Sequence, residues 1–328
     1  MDRRTVLKAV GLMAPLPWMA SAFAQDVYPS RPIRIVVQYP RGGVTDVAAR
    51  LVGDILNRKY GQPVIIENRP GASGVIGQQY VAGLPADGYT LITGGLGGNV
   101  IPPVTVRNLP LDVVKSFVPI AQVAEFVNVL VVSSNYPANT VKDLIARAKA
   151  AKAPLSYGSN GLGSSVHLTS ELFGATTGVA LMHAPYKGSS EALIDTANGN
   201  LDFCFSNLPP LVPLLKAGKL KALAVTSPYR TKQLPDVPTM GEAGVADFAV
   251  TSWLGIYGPS KMPPALVAQL GRDIAEGLAQ PEMMARIEAA GFEPRPQDAA
   301  AFLATNQSEL ARWDRIAQQS KVALEFGK

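Results

Sequence analysis

The chain has 328 residues, 47% hydrophobic and 17% charged, with a formal net charge of +5, which suits two domains with their own cores and excludes a disordered polypeptide. No basic run occurs beyond the first residues, so nucleic-acid binding has no electrostatic support. Cys204 is the single cysteine, which excludes an internal disulfide and suits a buried packing role.

Asp2-Arg3-Arg4-Thr5-Val6-Leu7-Lys8 forms a basic start, an apolar stretch runs from Ala9 to Met19, and Ala22-Phe23-Ala24 offers a small-x-small cleavage site. The stretch is shorter than the ~20 residues of a membrane span and contains Pro15 and Pro17. Residues 1–24 are therefore expected to be a signal peptide cleaved after Ala24, delivering the protein to the periplasm. The arginine pair resembles a twin-arginine signal, with an ordinary secretory signal as the alternative. Removing these residues takes away Asp2, Arg3, Arg4 and Lys8, a net of +2, and leaves +3.

Ile33 to Gln38 is an apolar run that predicts a strand, and apolar residues at 47, 48, 51, 52, 55 and 56 predict a helix over Thr45 to Tyr60, with Thr45 as its cap. Val64 to Glu67, a glycine loop, a helix to Ala82 and a strand from Tyr89 to Thr93 repeat the alternation. Val127 to Ser133 opens a second series. Its helices are predicted at Val141 to Ala150, Ser165 to Phe173 and Ser189 to Asn198, and its strands at Leu155 to Tyr157, Leu181 to His183, and near Phe203 and Leu223. Pro209-Pro210 and Gly94 to Gly98 read as loop chemistry.

A last strand, Trp253 to Gly258, precedes a tail read as wholly helical: Ala265 to Ala279, Glu282 to Ala290 and Ala299 to Ser320. Helices alone cannot form an α/β lobe, so the tail is expected to pack back on the first sheet. The predicted fold class is α/β: residues 25–124 with 246–328 form one lobe and 125–245 the other. Two crossovers make a hinge, and the ligand cleft lies between the lobes.

Enzyme templates fail. His167 and His183 lie sixteen residues apart with no His-Glu-x-x-His, so no protein metal cage is expected. Gly71-Ala72-Ser73-Gly74-Val75 misses the nucleophile-elbow spacing, and no phosphate-loop or dinucleotide fingerprint occurs. No cofactor is implied.

The chain does repeat one anion-friendly device. A strand ends in Tyr39-Pro40-Arg41-Gly42-Gly43-Val44-Thr45-Asp46 and another in Gly158-Ser159-Asn160-Gly161-Leu162-Gly163-Ser164-Ser165, each running into a helix. A helix N-terminus presents unpaired N–H groups and about half a positive charge, enough to hold a carboxylate. Open α/β sheets bind ligands at this strand edge, which the loop Thr93-Gly94-Gly95-Leu96-Gly97-Gly98-Asn99 also reaches. Micromolar binding needs ~8 kcal/mol, and each hydrogen bond to an ionised carboxylate supplies ~1.5 to 3 kcal/mol.

Several segments resemble the extracytoplasmic solute receptors of tripartite tricarboxylate transporters, the Bug-type binding proteins. They include Tyr28-Pro29-Ser30-Arg31-Pro32-Ile33, Gly42-Gly43-Val44-Thr45-Asp46, Asn68-Arg69-Pro70-Gly71-Ala72 and Ala86-Asp87-Gly88-Tyr89-Thr90-Leu91. Tyr157-Gly158-Ser159-Asn160-Gly161, His183-Ala184-Pro185-Tyr186-Lys187-Gly188, Ala217 to Thr226 and Pro235-Asp236-Val237-Pro238-Thr239 continue the match in order.

The resemblance implies a type II periplasmic-binding-protein fold that holds a small organic carboxylate between its lobes, partly through ordered water. It also implies delivery to a membrane permease of one large and one small subunit; a monomer is the expected working form. By position it implies ligand contacts from Tyr39, Arg41, Gly42, Gly43, Thr45 and Asp46, and from Thr93, Gly94 and Gly95. On the other side it implies Ser159, Asn160, Gly161, Ser164, Ser165, Ala184, Tyr186, Lys187, Ser206 and Asn207.

Two positions depart from the family pattern. Arg41 replaces a small residue or proline, and Leu96 to Gly98 lack polar side chains near Asn99. Arg41 is either a solvated loop residue or the partner of a second ligand carboxylate, which would favour a dicarboxylate, a tricarboxylate or an aromatic acid. Asp46 has three readings: holding the cap, binding an amino group or bracing the other lobe. Tyr39 and Tyr186 either flank the ligand or pack their own loops, and Trp253 reads as hinge packing. The competing functions are an exported carboxylate sensor for a membrane kinase and, with no assembled nucleophile and base to support it, a hydrolase.

Overall fold

The computed structural model describes residues 28–162, 164–320 and 324–325. The expected leader, its arginine pair, its cleavage site and Gly163 lie outside the described residues.

The first alternating series forms β1 (Ile33–Val37), α1 (Val44–Tyr60), β2 (Val64–Asn68), α2 (Val75–Ala82) and β3 (Thr90–Gly95). Both faces of β1 are covered: Ile33, Ile35, Val36 and Val37 are fully buried, as suits an interior parallel strand. Burying each such side chain contributes about 1.5–3 kcal/mol. α1 turns Leu51, Val52, Ile55 and Leu56 into this core. It ends at Gly61, whose φ of 70° is the left-handed conformation that a side chain would oppose.

Thr45 does not cap α1. Gly43 is the cap residue, with no side-chain hydrogen bond, and Thr45 sits inside the first turn. After β3 a wide helical turn, Leu96–Val100, leads through α3 (Ile101–Thr105), β4 (Val106–Arg107) and α4 (Val113–Ser116) into β5.

β5 runs Phe117–Ser133, ten residues earlier than the strand predicted from Val127. Pro119 is accommodated by a shift of register, in which Ile120 of β5 bulges out between the residues paired with Ile256 and Tyr257. The second series is α5 (Val141–Ala150), β6 (Leu155–Ser159), α6 (Ser165–Thr177), β7 (Leu181–Pro185), α7 (Ser189–Ala197), β8 (Phe203–Asn207), α8 (Leu208–Lys216) and β9 (Leu220–Val225). α8 corrects the loop reading of Pro209-Pro210, because prolines in a first turn give up only N–H groups that have no intrahelical acceptor.

The chain ends with β10 (Thr251–Pro259), α9 (Pro264–Leu278), α10 (Pro281–Ala289), β11 (Glu293–Gln297), α11 (Ala299–Ser320) and β12 (Leu324–Glu325). The tail is therefore not wholly helical. Pro294, Pro296 and three polar residues hide β11 in sequence, but β5 offers it an edge.

The strands join in the order β2-β1-β3-β10-β5-β8-β6-β7, with β11 and β9 also on β5. β5 serves both halves: its first part pairs with β10, and Asn128 to Val131 pair with β8. The return crossover is bonded to it at one node. Thr226 donates its N–H to Asn128 O at 2.9 Å, and Val250 donates to Thr226 O at 2.8 Å. The Asn128 N–H donates to Thr226 Oγ1 at 3.1 Å, and that hydroxyl donates to Val250 O at 2.6 Å. The tail packs back on the first half, with Leu270, Ile274, Leu278, Ile287 and Phe292 in one cluster with Ile33, Ile35 and Val37. Among the described residues no helix is long and apolar enough to cross a membrane.

Candidate ligand-binding site

The carboxyl ends of β1, β3, β6, β7 and β8 point toward one cavity of about 270 Å³. One wall is the loop from Tyr39 to Thr45 together with Gly95 to Gly98. The opposing wall is Asn160, Ser164, Ser165, Lys187 to Ser190, Asn207 and Pro210. The floor is Phe126 of β5 and Ser252, Trp253 and Leu254 of β10.

Three helices begin at this cavity: α1 at Val44, α6 at Ser165 and α7 at Ser189. Ser164 caps α6, accepting the His167 N–H at 3.3 Å. α1 and α7 begin instead at Gly43 and Gly188, which offer no side-chain acceptor. The N–H groups that open these turns are thus left for a ligand, while the Asp46 N–H already donates to Gly43 O at 3.1 Å. Arg41 and Lys187, both exposed, add one cation from each wall, and none of the lining residues is Asp or Glu. The electrostatics favour an anion.

Four lining side chains carry buried polar atoms with no protein partner: Thr45 Oγ1, Asn160 Oδ1, Ser252 Oγ and Trp253 Nε1. Buried polar groups are nearly always paired. Trp253 packs edge-on to Phe302, with ring centroids 5.2 Å apart, and lines the cavity as well.

Of the residues singled out in sequence, the cavity gathers Tyr39, Arg41, Gly42, Gly43, Thr45 and Gly95 from one wall. From the other come Asn160, Ser164, Ser165, Lys187 and Asn207. The remainder stand behind it. Asp46 is 3% exposed and accepts from Gly42 N at 3.1 Å, from Arg50 at 3.0 and 3.1 Å, and from Asn68 at 3.0 Å, so it holds the cap region. Burial opposes its ionisation, but these donors outweigh it and keep the carboxyl below its ordinary range.

Thr93 donates to Val36 O, and Ser206 to the adjacent Asn207 O. A side chain at Gly94 would meet Tyr257, one at Gly95 would meet Trp253 O, and one at Gly97 would come within 3.1 Å of Ser165 N on the facing wall. The glycine run therefore permits close packing more than it leaves room for ligand. Tyr186 donates to Asp195 at 2.6 Å and packs its own loop.

Ser159 Oγ takes the Gly161 N–H at 3.2 Å and meets His183 Nε2 at 2.6 Å. Ala184 lies beside Gly158 in the β6–β7 ladder. The two histidines, distant in sequence, stack at 4.1 Å, with Tyr157 4.9 Å from His183. Burial pushes His183 down to about 4, and burial with the neighbouring His183 pushes His167 down to about 3. Both are neutral at physiological pH.

Sequence reasoning missed the floor and, although it placed the start of α7 at Ser189, did not assign that start to the site. Gly188-Ser189-Ser190 after a strand repeats the device recognised at Gly43 and carried a usable signal; Phe126, Ser252 and Trp253 lie inside strands and carried none.

The family model described as tripartite tricarboxylate transporter family receptor matches residues 48–322. The protein BugT of Bordetella pertussis is 32% identical over 329 residues, which cover 99% of this chain and 100% of BugT. The solved structure of R. palustris Rpa4515 with adipate superposes with a TM-score of 0.86 at 36% identity, covering 90% of this chain and 99% of the other. MatC from Rhodopseudomonas palustris with bound malate gives 0.82 at 29% identity, covering 88% and 99%. Matches that span both halves of the fold and the cleft between them place this chain in the tripartite tricarboxylate transporter receptor family, as a Bug-type solute-binding protein.

Proposed function

We propose that this protein is a monomeric periplasmic receptor that captures a dicarboxylate, a tricarboxylate or an aromatic acid and delivers it to a two-subunit membrane permease, without transforming it. The observation that carries this reading is the cavity itself: two cations, three helix N-termini and no carboxylate. Adipate in Rpa4515 and malate in MatC supply the chemical precedent. The arginine-paired leader supports export, with cleavage after Ala24.

Lobe 1 comprises residues 25–124 with 246–328, and lobe 2 comprises 125–245. The Asn128, Thr226 and Val250 node acts as the hinge. A ligand that touches both walls only when they approach shifts the population toward the closed form, whose surface the permease recognises.

A thermal-shift screen against mono-, di- and tricarboxylates, aromatic acids and amino acids, followed by calorimetry, tests the ligand class, because a ligand of the folded state raises apparent stability. Silence from every acid would overturn the proposal. Co-purification from membranes tests the partner: a permease is expected, and a membrane kinase in its place would make the protein a sensor. Normal export of an Arg3→Lys, Arg4→Lys variant would show that the twin-arginine route is not used.

A further inference from the structure

We propose that Trp253 recognises an oxygen acceptor at the deep end of the ligand, so that the receptor selects acids with an acceptor at each end over simple monocarboxylates. This rests on the carboxylate-receptor reading above and narrows it.

The argument is one of depth and chemistry. Arg41 and Lys187 are exposed at the mouth, whereas Ser252 is 1% and Trp253 3% exposed on β10 in the middle of the sheet. An anionic group held by the cations leaves the rest of the ligand facing the floor. There the indole Nε1 and the Ser252 hydroxyl are buried with no protein partner.

An indole N–H only donates, and Phe302 holds the ring edge-on, with centroids 5.2 Å apart. β10 is fixed on both sides, by β3 through Leu254 and Gly95 and by β5 through Ser252 and Phe126. The flanking strands and Phe302 thus hold the residue in place beside the cavity. No lining residue brings a carboxylate to accept from it. A hydrocarbon or phenyl tail would seal the N–H without a partner, an arrangement that proteins avoid; a carboxylate, keto or hydroxyl oxygen would satisfy it. Phe126, Leu254 and Leu96 supply the apolar surround for the carbon chain between the two ends.

Calorimetry with chain-matched acids, succinate against butyrate and adipate against hexanoate, tests this on the folded protein. The diacid is expected to bind wild type about tenfold more tightly or better, as one hydrogen bond to an ionised group allows. Arg41→Ala and Trp253→Phe should each weaken the diacid by about tenfold, while the monoacid, with one carboxylate, should lose affinity to only one of them.

In ¹⁵N-labelled wild type, the indole N–H resonance missing from Trp253→Phe should move when the diacid binds. The Trp313 indole, already bonded to Glu309 at 3.1 Å, serves as the reference. If Trp253→Phe fails to fold, the wild-type resonance carries the test. Undiminished diacid affinity in a folded Trp253→Phe, or a Trp253 resonance unmoved by the diacid, would overturn the inference alone. Binding of no acid by wild type would overturn the receptor reading and the inference together.

Discussion

Both α1 and α7 begin at a glycine, and in both the acid of the first turn reaches back to the N–H that precedes it, Asp46 to Gly42 at 3.1 Å and Glu191 to Lys187 at 3.3 Å. Each start carries a cation, Arg41 or Lys187. What differs is how the acid is held. Asp46 is buried and also bonded to Arg50 and Asn68, whereas Glu191 is exposed to solvent. One recognition device thus appears twice, once locked to its sheet and once loosely tethered. This suits a cleft in which one wall is preorganised and the other closes on the ligand.

The comparison can be broken most sharply at the cations. Arg41→Ala with Lys187→Ala should cost about hundredfold in diacid affinity, two charge-assisted contacts at about tenfold each, with the melting temperature unchanged. Calorimetry checks the first and thermal unfolding the second. A loss from Arg41→Ala alone that falls equally on diacids and monoacids would show that Arg41 does not hold the second carboxylate.

Acid should separate the walls. A histidine whose folded pKa lies below its unfolded value is stabilising above the unfolded pKa, and that stability is lost as pH falls toward the folded one. His183 at about 4 and His167 at about 3, against an ordinary 6.5, therefore predict falling stability from about pH 6.5 down to about 4. The loss should be about 2 kcal/mol, since half-buried His183 is partly solvated. Asp46, lowered from 3.8, has the Asp sign: its contribution is present above that value and is lost only as pH falls through the lower folded one. Denaturant unfolding across this range should show the first loss in wild type and a smaller one in His167→Phe.

Removing the anchors should sharpen the contrast further. Asp46→Ala leaves Arg50, Asn68 and the Gly42 N–H without their acceptor and should cost about 1–3 kcal/mol of stability. Glu191→Ala should cost less than about 0.5 kcal/mol, as an exposed contact does. Equal costs in denaturant unfolding would abolish the distinction between the walls. The smallest effect is expected at Gly97→Ala, whose new methyl would lie 3.1 Å from Ser165 N on the facing wall. It should lower affinity a few-fold in calorimetry and leave stability unchanged if the walls close on the ligand as proposed, because it obstructs only their approach.

Much of the fold was legible because local chemistry and tertiary environment agree. Ile33 to Val37 is apolar and bounded by prolines, and α1 follows a helical period. What escaped was structure that a partner imposes. β5 continues through Pro119 because its register with β10 shifts there, and β11 forms from a proline-rich segment because β5 offers it an edge. In the site, the loops were legible through their glycines, but the roles of their side chains were not. Asp46 faces inward to its own cap, Tyr186 bonds its own helix, and Thr45 lines the cavity without capping α1.

By itself the sequence determined the α/β alternation, the glycine-led helix starts and the near-balanced charge that leaves the proposed site to rely on N–H groups and two cations. Those properties depend on residues adjacent in the chain: periodicity, turn chemistry and the dipole of a helix end. Only the tertiary structure decided that β5 serves both halves, that His167 meets His183, and that Ser252 and Trp253 form the floor. The physical reason is that a strand residue acquires its environment from strands and helices distant in sequence, so the unpartnered Trp253 N–H exists as a recognition group only once the sheet has closed around it.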